Sequence, residues 1–190
     1  AVFWKSEDHQ LLRFETLYEI FDVEDDRRGG VSVADFGCGY GAFFDFLADK
    51  PALRGGSFVG YDMSRKMVEA ARARIRDPRA KFLQQLTVTE PADYVFACGT
   101  YNMHMGADPD DWADYIKDSL RDLWAKTDKV LAFNLLRADA SERYQGLFYA
   151  DGDEDDILRD VWRRAASFAG AAVGLEEFSA VTWVRRAPDL

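Results

Sequence analysis

Three glycines stand at alternate positions in the segment Asp35-Phe36-Gly37-Cys38-Gly39-Tyr40-Gly41. Glycine lacks a Cβ, so a backbone of this composition lets a ligand approach where other side chains would block it. The segment lies between a short apolar run, 31–36, typical of a buried strand and a run with helical spacing, which predicts a helix over 42–50. A glycine loop in that position predicts a nucleotide-like ligand at the carboxyl end of the strand.

Two acidic residues accompany the loop. Asp62 follows the next predicted strand, 57–61, where a carboxylate at the strand tip can accept hydrogen bonds from both hydroxyls of a ribose. Asp35 stands two residues before the first glycine, and a carboxylate there suits a cationic group better than a pyrophosphate. The predicted ligand therefore contains a ribose and a positive charge.

The same glycines also fit the dinucleotide pattern Gly37-x-Gly39-x-x-Ala42. An NAD(P)-binding Rossmann oxidoreductase is therefore an alternative, which Asp35 and the short chain disfavour. A non-catalytic cofactor-binding protein is a second alternative, because the sequence indicates a site more directly than it indicates turnover.

Candidate catalytic residues follow the fourth predicted strand, 93–97. Tyr101, Asn102 and His104 come next along the chain, and residues after a strand of a doubly wound sheet lie at its ligand-binding edge. His104 could act as a general base, a role worth roughly 10² to 10⁴ in rate. The alternative for His104 is a structural role in the loop.

The glycine segment, Asp62 and the order of elements resemble the class I S-adenosylmethionine-dependent methyltransferases over nearly the whole chain. Segments 93–102, 133–134 and 147–151 are similar to those of small bacterial members. The resemblance implies S-adenosylmethionine as cofactor and methylation of a hydroxyl or amine of a small molecule. It also implies an α/β, Rossmann-like, doubly wound seven-stranded sheet of order 3-2-1-4-5-7-6, with strand 7 antiparallel and helices on both faces.

The resemblance also assigns cofactor contacts. The glycine loop faces the methionine part, Asp62 binds the ribose and Met63 lies against the adenine. Where the family often has an acid after strand three, this chain has Gln84-Gln85-Leu86, and Gln85 takes that place in the prediction. The complete predicted cofactor set is Asp35, Gly37, Cys38, Gly39, Gly41, Asp62, Met63, Gln85 and Cys98.

Alternating helical and strand-like patterns position these residues in one α/β domain, 1–190. An N-terminal amphipathic helix and lid (1–28) precedes the cofactor-binding core (31–135). A segment without either period, 136–153, is predicted to be a lid loop. A C-terminal helix and an antiparallel strand pair complete the domain at 154–186, with Gly170 ending the helix.

The acceptor pocket is expected between the N-terminal helix and the lid loop. Trp4 and His9 would line it from the helix, and Tyr144 and Tyr149 from the loop. Aromatic side chains at this density suit closure over a small organic acceptor. The sequence predicts no metal site.

Composition limits the function further. The chain has 190 residues, 48% of them hydrophobic, which suits one substantial core. Its net charge of −10 disfavours nucleic acid as a partner, and no segment is apolar enough to span a membrane or serve as a secretion signal. Cys38 and Cys98 form neither a disulfide framework nor a zinc motif, so we expect a cytoplasmic protein.

Overall fold

The computed structural model describes residues 7–136, Leu147, and two strands at 169–176 and 179–185. The helices of this part of the chain are α1 (Glu7–Tyr18), α2 (Val23–Arg28), α3 (Ala42–Leu47), α4 (Arg65–Arg74) and α5 (Pro109–Ala125). The strands are β1 (Ser32–Phe36), β2 (Ser57–Asp62), β3 (Ala80–Gln84), β4 (Ala92–Ala97), β5 (Thr127–Leu136), β6 (Ala169–Glu176) and β7 (Ser179–Arg185).

The strands form one sheet in the order β3-β2-β1-β4-β5-β7-β6. The first five pair in parallel, which confirms the predicted α/β, Rossmann-like fold. β7 pairs antiparallel with both β5 and β6. The chain runs outward from β1 to β3 and then returns to β4 on the other side of β1, so a crevice for a ligand opens at the carboxyl ends of β1 and β4.

Side chains of the strands alternate between two core layers, because successive residues of a strand point to opposite faces. In β1, Val33 packs with residues of α1, α3 and α4, whereas Ala34 and Phe36 pack on the side of α5. Asp35 has the parity of Val33. Its carboxylate therefore belongs to the face that carries the N-terminal helices.

Two helices begin at residues of types that favour the N-cap position. The Ser64 side chain accepts a hydrogen bond from the Met67 amide and begins α4. Asp108 accepts from the Asp110 amide at 2.9 Å and Pro109 takes the first helical position of α5. Both are N-caps that satisfy an amide which the helix itself leaves unpaired.

Three predicted boundaries were wrong. The N-terminal helix is two helices, since Asp22 caps α2 by accepting from the Glu24 amide and thereby starts a new helix. The helix predicted over 42–50 ends at Leu47, before a short 3-10 turn that Pro51 begins. Gly170, predicted to end a helix, instead pairs with Trp183 within the β6–β7 ladder. The predicted helix at 155–168 lies outside the described residues.

Candidate functional site

The glycine loop leaves β1 and is fixed to β2 through its backbone. The amides of Gly37 and Cys38 both donate to the Tyr61 carbonyl, at 2.8 and 3.0 Å. Gly37, Gly39 and Gly41 all have positive φ, between 55° and 88°. Because side chains with a Cβ rarely adopt this region, the loop conformation itself requires the three glycines.

The three glycines face different surroundings. A Cβ on Gly37 would lie 2.8 Å from Cγ2 of Thr100, and one on Gly41 would lie 2.5 Å from Cδ1 of Ile75. Around Gly39, by contrast, a Cβ would meet nothing within 4 Å. Gly37 and Gly41 therefore allow the protein to pack, whereas Gly39 borders open space that a ligand can enter.

Asp62 holds the open part of the loop in place. One carboxylate oxygen accepts from the Gly39 amide at 2.9 Å, and the other accepts from the Ser64 amide at 2.7 Å. A carboxylate has about four lone-pair directions, so both oxygens can accept a further hydrogen bond. Asp62 is thus preorganised to bind hydroxyl groups of a ligand beside Gly39.

Asp35 is buried behind the loop, with 3% of its surface exposed. Burial, followed by the repulsion of the nearby Asp62 charge, raises the pKa of its carboxyl to about 7. Within the described part of the chain, no hydrogen-bond donor reaches this carboxylate. A buried acid of this kind is stabilised in its charged form by a cation, so the two acids together would suit a cationic ligand that carries hydroxyls.

The remaining predicted cofactor residues differ in exposure. Met63 is 71% exposed next to Asp62, and its carbonyl accepts from the Gln84 side chain at 3.3 Å. The Gln85 amide donates to the Asp62 carbonyl at 3.2 Å, while its side chain is exposed. These residues surround the carboxyl end of β2 and leave an apolar surface on Met63 for a ligand.

Neither of the two cysteines forms a disulfide bond. Cys38 is buried, and burial followed by the charges of Asp35 and Asp62 raises the pKa of its thiol, so it is not an activated nucleophile. Cys98 is half-buried and packs against the core layer of α1 and α3. Cys38 therefore supports the loop from behind, and Cys98 is a packed residue at the end of β4.

Contrary to the prediction, the Tyr101 side chain does not contact the site. Its side chain is fully buried beside Phe36 and Tyr115, and its hydroxyl hydrogen-bonds to Ser119 of α5 at 2.8 Å. Burial also raises the pKa of this hydroxyl. The prediction of a catalytic Tyr101 was therefore wrong in geometry, because the apolar ring packs into the core at the turn that follows β4.

Asn102 and His104 remain at the surface of that turn. Asn102 is half-buried, and its Oδ1 is a buried acceptor without a hydrogen-bond partner in the described part of the protein. Nδ1 of His104 lies 3.0 Å from the Ala107 carbonyl. A carbonyl can only accept, so Nδ1 carries the proton, and Nε2 of the neutral ring is left as an acceptor.

A tight turn follows His104. The Ala107 amide donates to the His104 carbonyl at 2.8 Å, while Met105 and Gly106 have φ of 53° and 84°. Met105 is the non-glycine residue of the described chain that adopts positive φ. Such a conformation costs about 1 kcal/mol or more and is found at functional sites more often than elsewhere.

Sequence reasoning missed three residues that position this region. Thr100 Oγ1 donates to the Phe36 carbonyl at 2.6 Å and joins the ends of β1 and β4. Asn134, fully buried in β5, accepts from the Gly99 amide at 2.6 Å. Trp112 Nε1 donates to the Tyr101 carbonyl at 2.9 Å. An asparagine within the apolar run of β5 was the available signal, since a buried amide needs hydrogen-bond partners.

Most of the residues predicted to line the acceptor pocket lie outside the described part of the chain. Trp4, Tyr144 and Tyr149 lie outside the described residues, and His9 belongs to α1 but its side chain lies outside them as well. Leu147 forms an isolated antiparallel bridge with Met103. Leu147, which belongs to the segment predicted as a lid, thus contacts the turn after β4.

Neither a metal centre nor a membrane-spanning helix is present among the described residues. No group of three or more His, Cys, Asp or Glu residues there could hold a metal ion. None of the helices described is both long and apolar enough to cross a membrane.

Comparison with known proteins gives a consistent result. The family model described as a methyltransferase domain matches residues 34–122. Rv1506c of Mycobacterium tuberculosis, which carries the provisional name of a methyltransferase, is 33% identical over 154 residues, covering 78% of this chain and 90% of that protein.

Solved structures agree in fold. Magnesium protoporphyrin IX methyltransferase (ChlM) from Synechocystis PCC 6803 with bound SAM has a TM-score of 0.64 at 19% identity, covering 94% of this chain and 80% of that one. The small RNA methyltransferase HEN1 has a TM-score of 0.69 at 15% identity, covering all of this chain but 26% of that one. At these identities the likeness establishes the fold alone.

Proposed function

Since this chain belongs to the class I S-adenosylmethionine-dependent methyltransferases, we propose that it methylates a hydroxyl or amine of a small molecule by direct in-line transfer. The observation that carries the proposal is that Asp62 binds the amide of the open Gly39 while its charge also acts on the buried Asp35 carboxylate. The proposed site lies on a sheet of order 3-2-1-4-5-7-6 in which the seventh strand is antiparallel.

The cofactor is S-adenosylmethionine, and the residues present fit it. Its ammonium group would stabilise the charged form of the buried Asp35 carboxylate. Its ribose hydroxyls suit the lone pairs that Asp62 keeps beside Gly39, and Met63 offers an apolar surface for the adenine. When bound, the cofactor supplies a methyl group that its sulfonium already makes electrophilic.

This chain's own residues then have three tasks, which are alignment, exclusion of water and management of one proton. Gly39 and Asp62 hold the cofactor's position, and Asn102 faces the acceptor. His104 takes the proton through Nε2, because its Nδ1 is occupied by the Ala107 carbonyl. Tyr101 acts as a positioning residue that fixes the turn to α5.

The acceptor pocket is proposed to lie between α1 and the segment 136–153, with Trp4, His9, Tyr144 and Tyr149 as lining. The bridge between Leu147 and Met103 supports this location, because it brings the segment to the turn that carries Asn102. Cysteines at positions 38 and 98 that form no disulfide bond are compatible with the cytoplasm, where we propose that the reaction takes place.

The alternatives are less well supported. A dinucleotide would bring its pyrophosphate toward the Asp35 carboxylate, which repels it. HEN1 acts on small RNA, but the net charge of −10 of the present chain opposes binding of a phosphate backbone. A small-molecule acceptor therefore fits this chain better than a nucleic acid.

The test combines cofactor binding with transfer. Calorimetry should detect binding of S-adenosylhomocysteine and none of NAD. Radiolabelled S-adenosylmethionine should then transfer its methyl group to a component of a metabolite extract of low molecular mass. Binding without any labelled product would leave a non-catalytic cofactor-binding protein, and label in RNA would identify a different acceptor class.

A further inference from the structure

The Thr100 side chain continues the pairing of β1 with β4 beyond the point where their backbones separate. The register between the two strands ends at Asp35 and Phe96. The next carbonyl, that of Phe36, belongs to a residue that is only 5% exposed, and a buried carbonyl needs a hydrogen-bond donor. The Thr100 hydroxyl supplies that donor at 2.6 Å. A side chain of the turn after β4 thus takes the place of a backbone amide at the end of β1.

This hydrogen bond lies at the base of the crevice. After β1 the chain enters α3, whose Phe43 packs in the core layer of α1, whereas after β4 it enters α5, whose Ile116 packs in the layer of the opposite face. The glycine loop and the turn after β4 therefore separate toward opposite faces of the sheet, and ligands of such folds bind where the two connections separate. The bond from Thr100 to Phe36 joins the two segments at this point.

The same bond orients the first peptide of the glycine loop. The N–H of the Phe36–Gly37 peptide donates to the Tyr61 carbonyl of β2 at 2.8 Å, and its C=O accepts from Thr100. The N–H and C=O of a trans peptide point in opposite directions. The two partners therefore hold this peptide plane from both neighbouring strands. Because glycine is conformationally permissive, a fixed plane before Gly37 limits the conformations that the loop can adopt.

Thr100 is itself held in a defined position. A Cβ built on Gly37 would overlap both Oγ1 and Cγ2 of Thr100, so this side chain packs directly on the glycine. On the side of β5, the Gly99 amide donates to the buried Oδ1 of Asn134 at 2.6 Å, and Gly99 adopts a φ of 75°. Thr100 is thus fixed to β5 through the preceding residue and to β1 through its hydroxyl.

We propose that Thr100 is a positioning residue of the cofactor site, whose hydroxyl holds the glycine loop in the conformation that binds S-adenosylmethionine. Thr100 fixes the loop where it begins, and Asp62 fixes it at the Gly39 amide, 2.9 Å away, beside the open space. Without the hydroxyl the loop gains alternative conformations, and the affinity falls in proportion to the fraction of molecules whose loop remains competent. This inference rests on the proposed placement of the cofactor beside Gly39.

Calorimetry with S-adenosylhomocysteine on the full chain tests this role. Thr100→Val keeps the shape of the side chain but lacks the hydroxyl, and should bind about fivefold more weakly than the wild type or worse. Thr100→Ser keeps the hydroxyl and should restore binding to within about twofold of the wild type. Each protein is measured well below its melting temperature, where a loss of stability alone leaves the affinity of the folded molecules unchanged.

Thr127→Val is the matched control. The Thr127 hydroxyl also donates to a backbone carbonyl, that of Leu123 at 2.8 Å, but Thr127 lies at the opposite end of the sheet, where its register partner Ala92 begins β4. The control should lose stability without losing affinity for S-adenosylhomocysteine. If Thr100→Val does not fold, Thr100→Cys takes its place, since a thiol of similar size is a weaker donor.

Amide exchange followed by NMR examines the loop directly. In the ligand-free Thr100→Val protein, the Gly37 and Cys38 amides, which both donate to Tyr61, should exchange about fivefold faster than in the wild type. Thr127→Val should leave the exchange of these two amides unchanged. A residue that contributed only to overall stability would not produce this difference between the two variants.

Wild-type affinity or unchanged loop exchange in Thr100→Val would overturn the proposal. Equal losses of affinity in Thr100→Val and Thr100→Ser would do so as well, because packing and not the hydroxyl would then be responsible, and so would an equal loss in Thr127→Val. None of these results affects the proposed function, since the wild type would still bind S-adenosylhomocysteine. The absence of that binding in the wild type, measured first, would instead refute the proposed function itself.

Discussion

The Asp62 carboxylate accepts a hydrogen bond from the Gly39 amide at 2.9 Å, across 23 positions of sequence. Its other oxygen accepts from Ser64, so one side chain joins the glycine loop to the start of α4. The acid that we propose binds the ribose is therefore also the group that fixes the loop to the start of α4. If the proposal is correct, cofactor affinity and loop geometry depend on the same carboxylate.

Asp62→Asn should weaken the binding of S-adenosylhomocysteine by about 10- to 100-fold. The asparagine side chain cannot accept hydrogen bonds from both Gly39 and Ser64, and charge-assisted hydrogen bonds are worth roughly 1.5 to 3 kcal/mol. Isothermal calorimetry measures this directly. Glu69→Gln on α4, whose carboxylate is 62% exposed, is the matched control and should bind normally. Equal affinities in the two variants would remove Asp62 from the site.

Substitution by alanine should have different effects on stability at Gly37 and at Gly39. In Gly37→Ala the new Cβ would meet Thr100, so the melting temperature should fall by several degrees. In Gly39→Ala the Cβ projects into open space, so stability should fall by only about 1 kcal/mol, the cost of positive φ. Affinity for S-adenosylhomocysteine should nevertheless fall at least tenfold in Gly39→Ala. Thermal denaturation and calorimetry on both proteins check the contrast, and normal cofactor binding by a folded Gly39→Ala protein would contradict it.

The glycine loop, Asp62 and the caps at Ser64 and Asp108 could be predicted because each is a local signal. A positive φ, a strand tip and an unpaired amide all select a few residue types. The fates of Tyr101 and Asn134 could not be predicted in this way. Whether a ring after β4 packs into the core or faces the crevice depends on α5, which lies later in the chain, and the Asn134–Gly99 hydrogen bond spans 35 positions. Long-range packing decided both.

The titration of Asp35 should make both stability and binding depend on pH. Its folded pKa of about 7 lies above the ordinary value of 3.8, so the folded, ligand-free protein holds this proton more tightly than the unfolded chain. The resulting stabilisation is complete below about pH 4 and is lost as the pH rises toward 7. Asp35→Asn should therefore melt higher than the wild type at pH 8, and the difference should vanish near pH 4. Thermal denaturation across this range tests the sign.

Cofactor affinity should follow the opposite trend, because the ammonium of S-adenosylhomocysteine favours the charged carboxylate. Wild-type affinity should rise between pH 5 and pH 8 in step with ionisation of Asp35, and binding near pH 6 should release a proton. Calorimetry in two buffers of different ionisation enthalpy counts that proton. A pH-independent affinity in the wild type would mean that Asp35 does not contact the cation.

The His104→Asn variant distinguishes the roles of the two ring nitrogens. The asparagine NH₂ can replace Nδ1–H as donor to the Ala107 carbonyl, so the turn should persist, while the acceptor Nε2 is lost. Turnover at saturating acceptor should fall at least tenfold, with cofactor affinity unchanged. Wild-type turnover in this variant would make His104 purely structural.

The bridge between Met103 and Leu147 provides a test of the proposed lid at 136–153. Leu147→Pro removes the backbone amide available to this bridge, whereas Leu147→Ala retains it. If the segment closes over the acceptor, Leu147→Pro should raise the acceptor KM several-fold without changing the affinity for S-adenosylhomocysteine, and Leu147→Ala should have a smaller effect. Hydrogen exchange of peptides that contain Met103 should slow when cofactor product and acceptor are both bound, and this slowing should be absent in Leu147→Pro. Unchanged exchange in the wild type, together with normal KM in Leu147→Pro, would place the acceptor away from this segment, because a lid cannot act without a closed state that the ligands favour.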